Sequence, residues 1–389
     1  MKGLLDPILM ELCEQGEYMG LSLLVARHGE ILYRKEVGFA DVETKAPIRP
    51  DTIFHLYSMT KPVTSAAIMK LWEEGKLNID NSVSLYLPGF LNQKVNEYGR
   101  LVDVDREVTI RDLLNMTSGI AYPGGEETPE VNALFDEAMK KADTSEAIDT
   151  VTFANRLGHL PLKFQPGARW EYGASADVLG AVVEIVTGMS FGDYLRKQFF
   201  DPLGMVDTAF YIPREKKSRL AAIYHMANGT EPVRYGGRHL VILDYDSEPA
   251  FQSGGAGLCS TMDDYLKFAL MLANRGIYKG KRYLNERTVA FMSSSQLNET
   301  QQRTFDWPIF QGYGYGNLMR VLLEPSKAAM PVPPGEYGWE GWTGSYFEIH
   351  PVEDTVILLM TAQLDRDNFA NKHKIRSLVY ENITRPLMT

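Results

Sequence analysis

The chain has 389 residues, 44% of them hydrophobic and 23% charged, with a formal net charge of −10 at pH 7. That length and balance suit a soluble globular protein of two or three domains with a sizeable core. The acidic balance and the lack of a dense Lys/Arg run argue against nucleic acid as a partner, and the lack of a run of about 18 apolar residues argues against a transmembrane helix.

The opening stretch, residues 1–20, is interrupted by Asp6, Glu11 and Glu14, so it reads as an amphipathic helix and not as a signal segment. Residues 21–41, LSLLVARHGEILYRKEVGFAD, read as two strands joined by a turn at His28-Gly29. Residues 62–77 space Val63, Ala67, Met69, Leu71 and Trp72 as a helix does, with Gly75 as its stop. VTIRDLLNMTSGI (108–120) reads as a short capped helix, and GASADVLGAVVEIVTG (173–188) as a helix ended by Gly188. FGDYLRKQFFDPLGM (191–205) reads as another, ended by Pro202. Residues 76–300 are thus expected to be mostly helices and loops.

Further on the pattern changes. YGYGNLMRVLL (313–323), GSYFEIHP (344–351) and DTVILLMTAQL (354–364) read as strands, with a turn near Pro351–Asp354. The Pro-rich stretch 330–338 reads as a loop, and residues 367–387 as a closing helix. Strands at both ends with helices between them predict one sheet built from both termini. The expected organisation is an α/β domain from 1–75 and 300–389, a mostly helical insertion over 76–299, and an active site between them. Cys13 and Cys259 stand outside any CxxC or Cys/His cluster, which indicates no disulfide framework and fits a reducing, cytoplasmic compartment.

Chemistry concentrates in three places. Ser58 stands three residues before Lys61 at what reads as a helix start. A serine there is by itself a favoured cap. As a nucleophile it needs a base within reach, and the i, i+3 spacing lets Lys61 point at it; the helix N-terminus and the Ser58 N–H would favour an oxyanion nearby. Tyr172, in RWEYGASADVLG, is an ordinary boundary tyrosine on its own, but an ammonium nearby stabilises a phenolate and makes a tyrosine a candidate base. GWTGSYFEI (341–349) is either a plain turn into a strand or an edge whose Ser345 N–H supplies a second oxyanion donor.

Taken in this order, the three segments resemble the serine hydrolases of the class C β-lactamase, D-alanyl peptidase and family VIII carboxylesterase superfamily. Ser58-Met59-Thr60-Lys61 matches the family's SxxK. Tyr172-Gly173-Ala174 matches its Tyr-x-Asn at the tyrosine only, and Trp342-Thr343-Gly344 stands in place of its Lys/His-Thr/Ser-Gly. VTIRDLLNMTSGI, FQPGARWEY, DPLGMVDTAF and GGAGLCSTMDDYLKF resemble recurrent family blocks, so the likeness covers roughly residues 20–360. It implies an α+β fold of the β-lactamase/transpeptidase type, with an antiparallel sheet flanked by helices plus a mostly helical domain. It implies catalysis by Ser58, Lys61 and Tyr172 through an acyl-enzyme, with oxyanion donors on the backbone of Ser58 and Ser345 and without cofactor or metal. Trp342, Thr343, Gly344 and Tyr122 are expected to contact substrate, in a pocket shaped by the loops around Tyr122, 231–256 and 300–335.

The departures carry information. Ala174 and Trp342 replace the amide and the cation that hold a β-lactam in the family. A site without that cation has less to offer an anion, and an aromatic suits a neutral ester. The expected partner is therefore a small-molecule ester, with acyl transfer to alcohols as an extension. A β-lactamase, D-peptidase or other amide hydrolase, and a non-catalytic binding protein, stand as alternatives. No membrane partner is expected, and the sequence leaves the oligomeric state open.

Gly188-Met189-Ser190-Phe191-Gly192 is a second serine signal, GxSxG, but it follows a helical run where the lipase elbow must follow a strand, so it reads as a helix–helix junction. Gly312-Tyr313-Gly314-Tyr315-Gly316 lacks the strand–loop–helix context of a nucleotide site. His55, His159, His225, His239, His350 and His373 show no metal-ligand spacing, and Asp263-Asp264 reads as a solvated helix start.

Overall fold

The computed structural model describes all residues except 126–127, 229–230, 237–239, 241–244, 331, 365–368 and 385–389. His239, part of the 231–256 loop and the ends of the expected closing helix therefore lie outside the described residues.

The core is an eight-stranded antiparallel sheet assembled from both ends of the chain. Its order is Tyr313–Gly316, Met319–Leu322, Tyr337–Glu340, Tyr346–His350, Thr355–Thr361, Gly20–Arg27, Glu30–Asp41 and Ala46–Pro47. The seam between the two contributions is the pairing of Leu21–Arg27 with Thr355–Thr361. Both strands are runs of apolar and β-branched residues. Thr355–Thr361 is buried at all seven positions, the pattern of a strand covered on both faces. The Met262–Ala273 helix packs against Thr355–Thr361 and Tyr346–His350. The Lys2–Glu14 helix packs against Glu30–Asp41 and against the closing helix Phe369–Thr384. His28 and Gly29, at φ 52° and 78°, make the two-residue turn between the first strands.

A buried ionic group ties the closing helix to the sheet. Arg376 reaches Glu348 Oε2 at 2.5 Å and Glu336 Oε2 at 3.0 Å, and Arg320 reaches Glu336 Oε1 at 3.2 Å. The Tyr380 hydroxyl donates to Glu348 Oε1 at 2.9 Å. Burial pushes the Glu348 carboxyl up to about 7, against the opposing pull of Arg376.

Three local expectations need correction. Residues 313–323 are not one strand but a hairpin, turned at Asn317-Leu318, both in the left-handed region at φ 51° and 63°. The turn is held from outside, by Asn115 Oδ1 on the Asn317 N–H and Leu114 O on the Leu318 N–H, so the tight turn does not need glycine. The 330–338 loop is shorter than expected, because Tyr337 and Gly338 already belong to the strand Tyr337–Glu340. Pro202 does not end its helix. The helix widens into a π turn over Arg196–Phe200, so the proline falls in the first turn of a fresh α segment, where no N–H is needed, and Gly204 at φ 73° is the stop. Residues 76–300 also hold three short hairpins, at 94–103, 224–234 and 277–282. No single helix among the described residues is long and apolar enough to cross a membrane.

Candidate active site

Ser58 lies in one 3₁₀ turn, Tyr57–Thr60, that runs straight into the Lys61–Glu73 helix. Pro62 suits that first turn, where an N–H would have no partner. The residue before the serine, buried Tyr57, sits at φ 46°. A non-glycine residue there costs about 1–3 kcal/mol and persists only when its surroundings impose it. The surroundings are a loop at 253–258. Leu56 N–H donates to Leu258 O at 2.9 Å, Leu258 N–H donates to Thr60 Oγ1 at 3.1 Å, and Thr64 Oγ1 donates to Gly254 O at 2.6 Å.

Lys61 is fully buried, and its ammonium donates to Ser58 Oγ at 3.2 Å, to the Tyr122 hydroxyl at 3.2 Å and to Gly255 O at 2.8 Å. It also lies 4.5 Å from the centre of the Tyr172 ring. The Tyr172 hydroxyl is 2.7 Å from Ser58 Oγ. The two tyrosines are brought together because segments 116–122 and 171–175 run side by side. Glu171 N–H donates to Met116 O at 2.9 Å, and the Ser118 and Ser175 hydroxyls meet at 2.9 Å. Gly173 allows the approach, since a Cβ there would stand 1.9 Å from Ile120 O. The Tyr122 and Tyr172 rings lie 5.4 Å apart. Burial pushes the Tyr122 phenol well above the usual tyrosine range, so it is a neutral hydroxyl at Lys61.

The turn at 341–345 closes the other side. Gly341 presses on the nucleophile segment: a Cβ there would lie 2.6 Å from Leu56 O. Gly341 N–H donates to Ser345 O at 2.7 Å, and Gly344 sits at φ 86°. The Ser345 hydroxyl is clamped to Thr361, donating to its carbonyl and accepting from its N–H, both at 3.0 Å. Among the described residues no acceptor is recorded for the N–H of Ser58 or Ser345. Thr343 is buried, 3.4 Å from the Ser345 hydroxyl. Trp342 is 40% exposed, with its ring edge-on to Tyr57 at 5.3 Å and to Tyr235 at 5.7 Å.

Sequence reasoning missed Trp339. Its indole N–H donates to the Tyr172 hydroxyl at 3.3 Å, and its ring stacks on that of Tyr172 at 5.7 Å. The signal was present, since Trp339-Glu340-Gly341 repeats the Trp-x-Gly pattern of Trp342-Thr343-Gly344. The loop Ser253–Gly255 lies in the stretch 231–256 expected to shape the pocket, but nothing in the sequence signals that its Gly255 carbonyl receives Lys61. Ser190 is elsewhere in the network: it caps the Phe191–Leu195 helix, accepting Asp193 N–H at 3.1 Å, and Gly188 at φ 68° closes the helix before it. Among the described residues no group of three or more His, Cys, Asp or Glu could hold a metal ion. His55 pairs with Cys259 Sγ at 3.2 Å, and His350 with Pro333 O at 3.0 Å.

The Beta-lactamase family model matches residues 5–380. Esterase EstB of Burkholderia gladioli is 32% identical over 375 residues, which cover 92% of this chain and 89% of that one. A putative D-alanyl-D-alanine carboxypeptidase of Escherichia coli is 27% identical over 371 residues, 88% of this chain and 78% of that one. Among solved structures, EstCE1, described as a hydrolase with promiscuous acyltransferase activity, superposes with a TM-score of 0.80 at 26% identity, covering 96% of this chain and 97% of that one.

Proposed function

The chain belongs to the beta-lactamase family, a family of hydrolases, and from that premise we propose that it is a serine carboxylesterase acting on small neutral esters through an acyl-enzyme on Ser58. The observation that carries this reading is that one oxygen, Ser58 Oγ, is met at once by the Tyr172 hydroxyl and by the Lys61 ammonium. In the proposed sequence Ser58 Oγ attacks the ester carbonyl and its proton passes to the Lys61–Tyr172 pair in its singly deprotonated form, in which Lys61 keeps Tyr172 ionised or shares the base role. The N–H groups of Ser58 and Ser345 hold the tetrahedral oxyanion, a role whose loss costs about 2.7–4 kcal/mol. Tyr172 returns the proton to the leaving alcohol, and water, or a second alcohol, then releases the acyl group from Ser58.

Esters are favoured over β-lactams by two positions. Trp342 presents an aromatic face where the family pattern has a cation, and the buried Ala174 carries no amide where the pattern has one, so a substrate carboxylate has no matching charge there. The ester-cleaving and acyl-transferring activities in the names of EstB and EstCE1 support the same choice. The test is turnover of p-nitrophenyl acetate, butyrate and longer esters beside nitrocefin, with the Ser58→Ala variant in parallel. A burst of p-nitrophenol equal to the enzyme concentration is expected, and its loss in Ser58→Ala. Unchanged ester hydrolysis in that variant would falsify the assignment of the nucleophile, and faster turnover of nitrocefin than of any ester would replace esterase by β-lactamase.

A further inference from the structure

Lys61 presents a problem of charge. Its ammonium is buried, and the three acceptors it meets, a serine hydroxyl, a phenol and a peptide carbonyl, are all neutral. A buried cation held this way is costly unless a negative charge stands close by. The candidate is Asp177, at the third position of the Ser175–Thr187 helix and 2% exposed. Its Oδ1 accepts from the Ser253 hydroxyl at 2.5 Å and from the Gly255 N–H at 3.1 Å. Both partners are donors, which suits an ionised carboxylate. The other polar group of Gly255, its carbonyl, is the one that receives Lys61.

The two glycines make this link possible. A Cβ on Gly255 would stand 2.9 Å from Asp177 Oδ2 and 3.1 Å from the Tyr122 hydroxyl, and one on Gly254 would stand 2.3 Å from Ala176 O. The loop can therefore lie flat between helix and lysine only without side chains. Burial pushes the Asp177 carboxyl up, while the Ser253 hydrogen bond and the Lys61 charge pull it back.

We propose that Asp177 is the positioning residue for Lys61: it fixes the Gly255 carbonyl that holds the ammonium and supplies the negative charge that balances it. This rests on reading Ser58 as the nucleophile. The titratable groups that face Lys61 are Tyr122 from the 116–122 segment and Tyr172 from the approach to the helix, with Asp177 on the helix itself and Tyr315 of the sheet behind the tyrosines.

The test uses the rate at which a neutral p-nitrophenyl phosphonate labels Ser58 as a function of pH, followed by intact mass and p-nitrophenol release. This reports activation of the serine without a known substrate. Asp177→Asn keeps an acceptor for both donors and removes the charge. Loss of a nearby negative charge favours the deprotonated form of whichever group takes the Ser58 proton, lysine or tyrosine alike. The acidic limb of the profile is therefore expected to move to lower pH by at least about half a unit, with the limiting rate down about tenfold. Ser253→Ala keeps the carboxylate and removes one anchor, so its limiting rate falls several-fold while the limb stays in place. A folded Asp177→Asn protein with an unmoved limb overturns the proposal, since a merely structural role would lower thermal stability and leave the limb alone. If Asp177→Asn does not fold, an unchanged labelling rate in Ser253→Ala overturns it. Failure of the wild-type protein to label at Ser58 removes the nucleophile assignment first and this inference with it.

Discussion

The indole N–H of Trp339 donates to the hydroxyl of Tyr172 at 3.3 Å, on the oxygen that stands 2.7 Å from Ser58. Trp339 is 2% exposed in an interior strand, so the donor is held rigidly where negative charge develops as Tyr172 gives its proton to the leaving alcohol. Trp339→Phe keeps an aromatic ring for the stack and removes only the donor. A hydrogen bond to a charged acceptor contributes about 1.5–3 kcal/mol, so kcat is expected to fall at least about tenfold with KM little changed. Steady-state kinetics on a p-nitrophenyl ester check this, and an unaltered kcat would remove Trp339 from the network.

The two serine signals separate cleanly. Ser190→Ala loses an N-cap, which costs about 1 kcal/mol of stability, and kcat is expected to stay within about twofold of wild type. Ser58→Ala is expected to lose about a thousandfold in kcat or more. Thermal melts beside ester kinetics for both variants decide it. A kinetic loss in Ser190→Ala comparable to that in Ser58→Ala would reverse the assignment.

Trp342 is exposed at the site and packed between Tyr57 and Tyr235. An aromatic wall of this kind holds the bound ester and its transition state alike, so its removal acts on binding. Trp342→Ala is expected to raise KM for aryl esters about fivefold while kcat changes less. A drop in kcat at constant KM would assign Trp342 to the chemical step instead.

The ionic group under the closing helix predicts a pH dependence of stability. The Glu348 carboxyl is raised from 4.5 to about 7 in the folded protein. Between those values the folded state binds more protons than the unfolded one. The stability from this group is therefore full below 4.5 and is lost as pH rises to about 7, roughly 3 kcal/mol in all. Glu348→Gln lacks that dependence. Its melting temperature should gain on that of wild type between about pH 5 and pH 8, and a constant difference across that range would show that Glu348 does not titrate there.

Much of this was legible from residue patterns. The seam strands Gly20–Arg27 and Thr355–Thr361 are long enough for apolar runs to speak for themselves, and the helices at 61–73 and 175–187 carry longer apolar runs with glycine stops. Ser58, Lys61 and Tyr172 could be named because they fall in motifs with fixed neighbours, and the structure brings them within hydrogen-bond reach. The strand Tyr337–Glu340 was hidden because its four residues are too short for a period, and Trp339 was hidden with it. By sequence pattern alone Asp177 is one more acidic residue in a helix's first turn. Its partners Ser253 and Gly255 come from a distant loop, and no local pattern announces such a contact.

The seam of the sheet also sets a schedule. The strand that starts the fold pairs with one of the last to be synthesised, and the Gly341–Ser345 turn beside Ser58 hangs from that same late strand through Thr361. Pairing of such distant segments makes folding slow and leaves little to gain from an early start. A chain stalled on the ribosome before residue 355 would carry Ser58, Lys61 and Tyr172, with its first strand paired to Glu30–Asp41 alone and its seam edge open. Hydrolytic competence should thus arrive at once, with the closing of the sheet, and not accumulate with chain length.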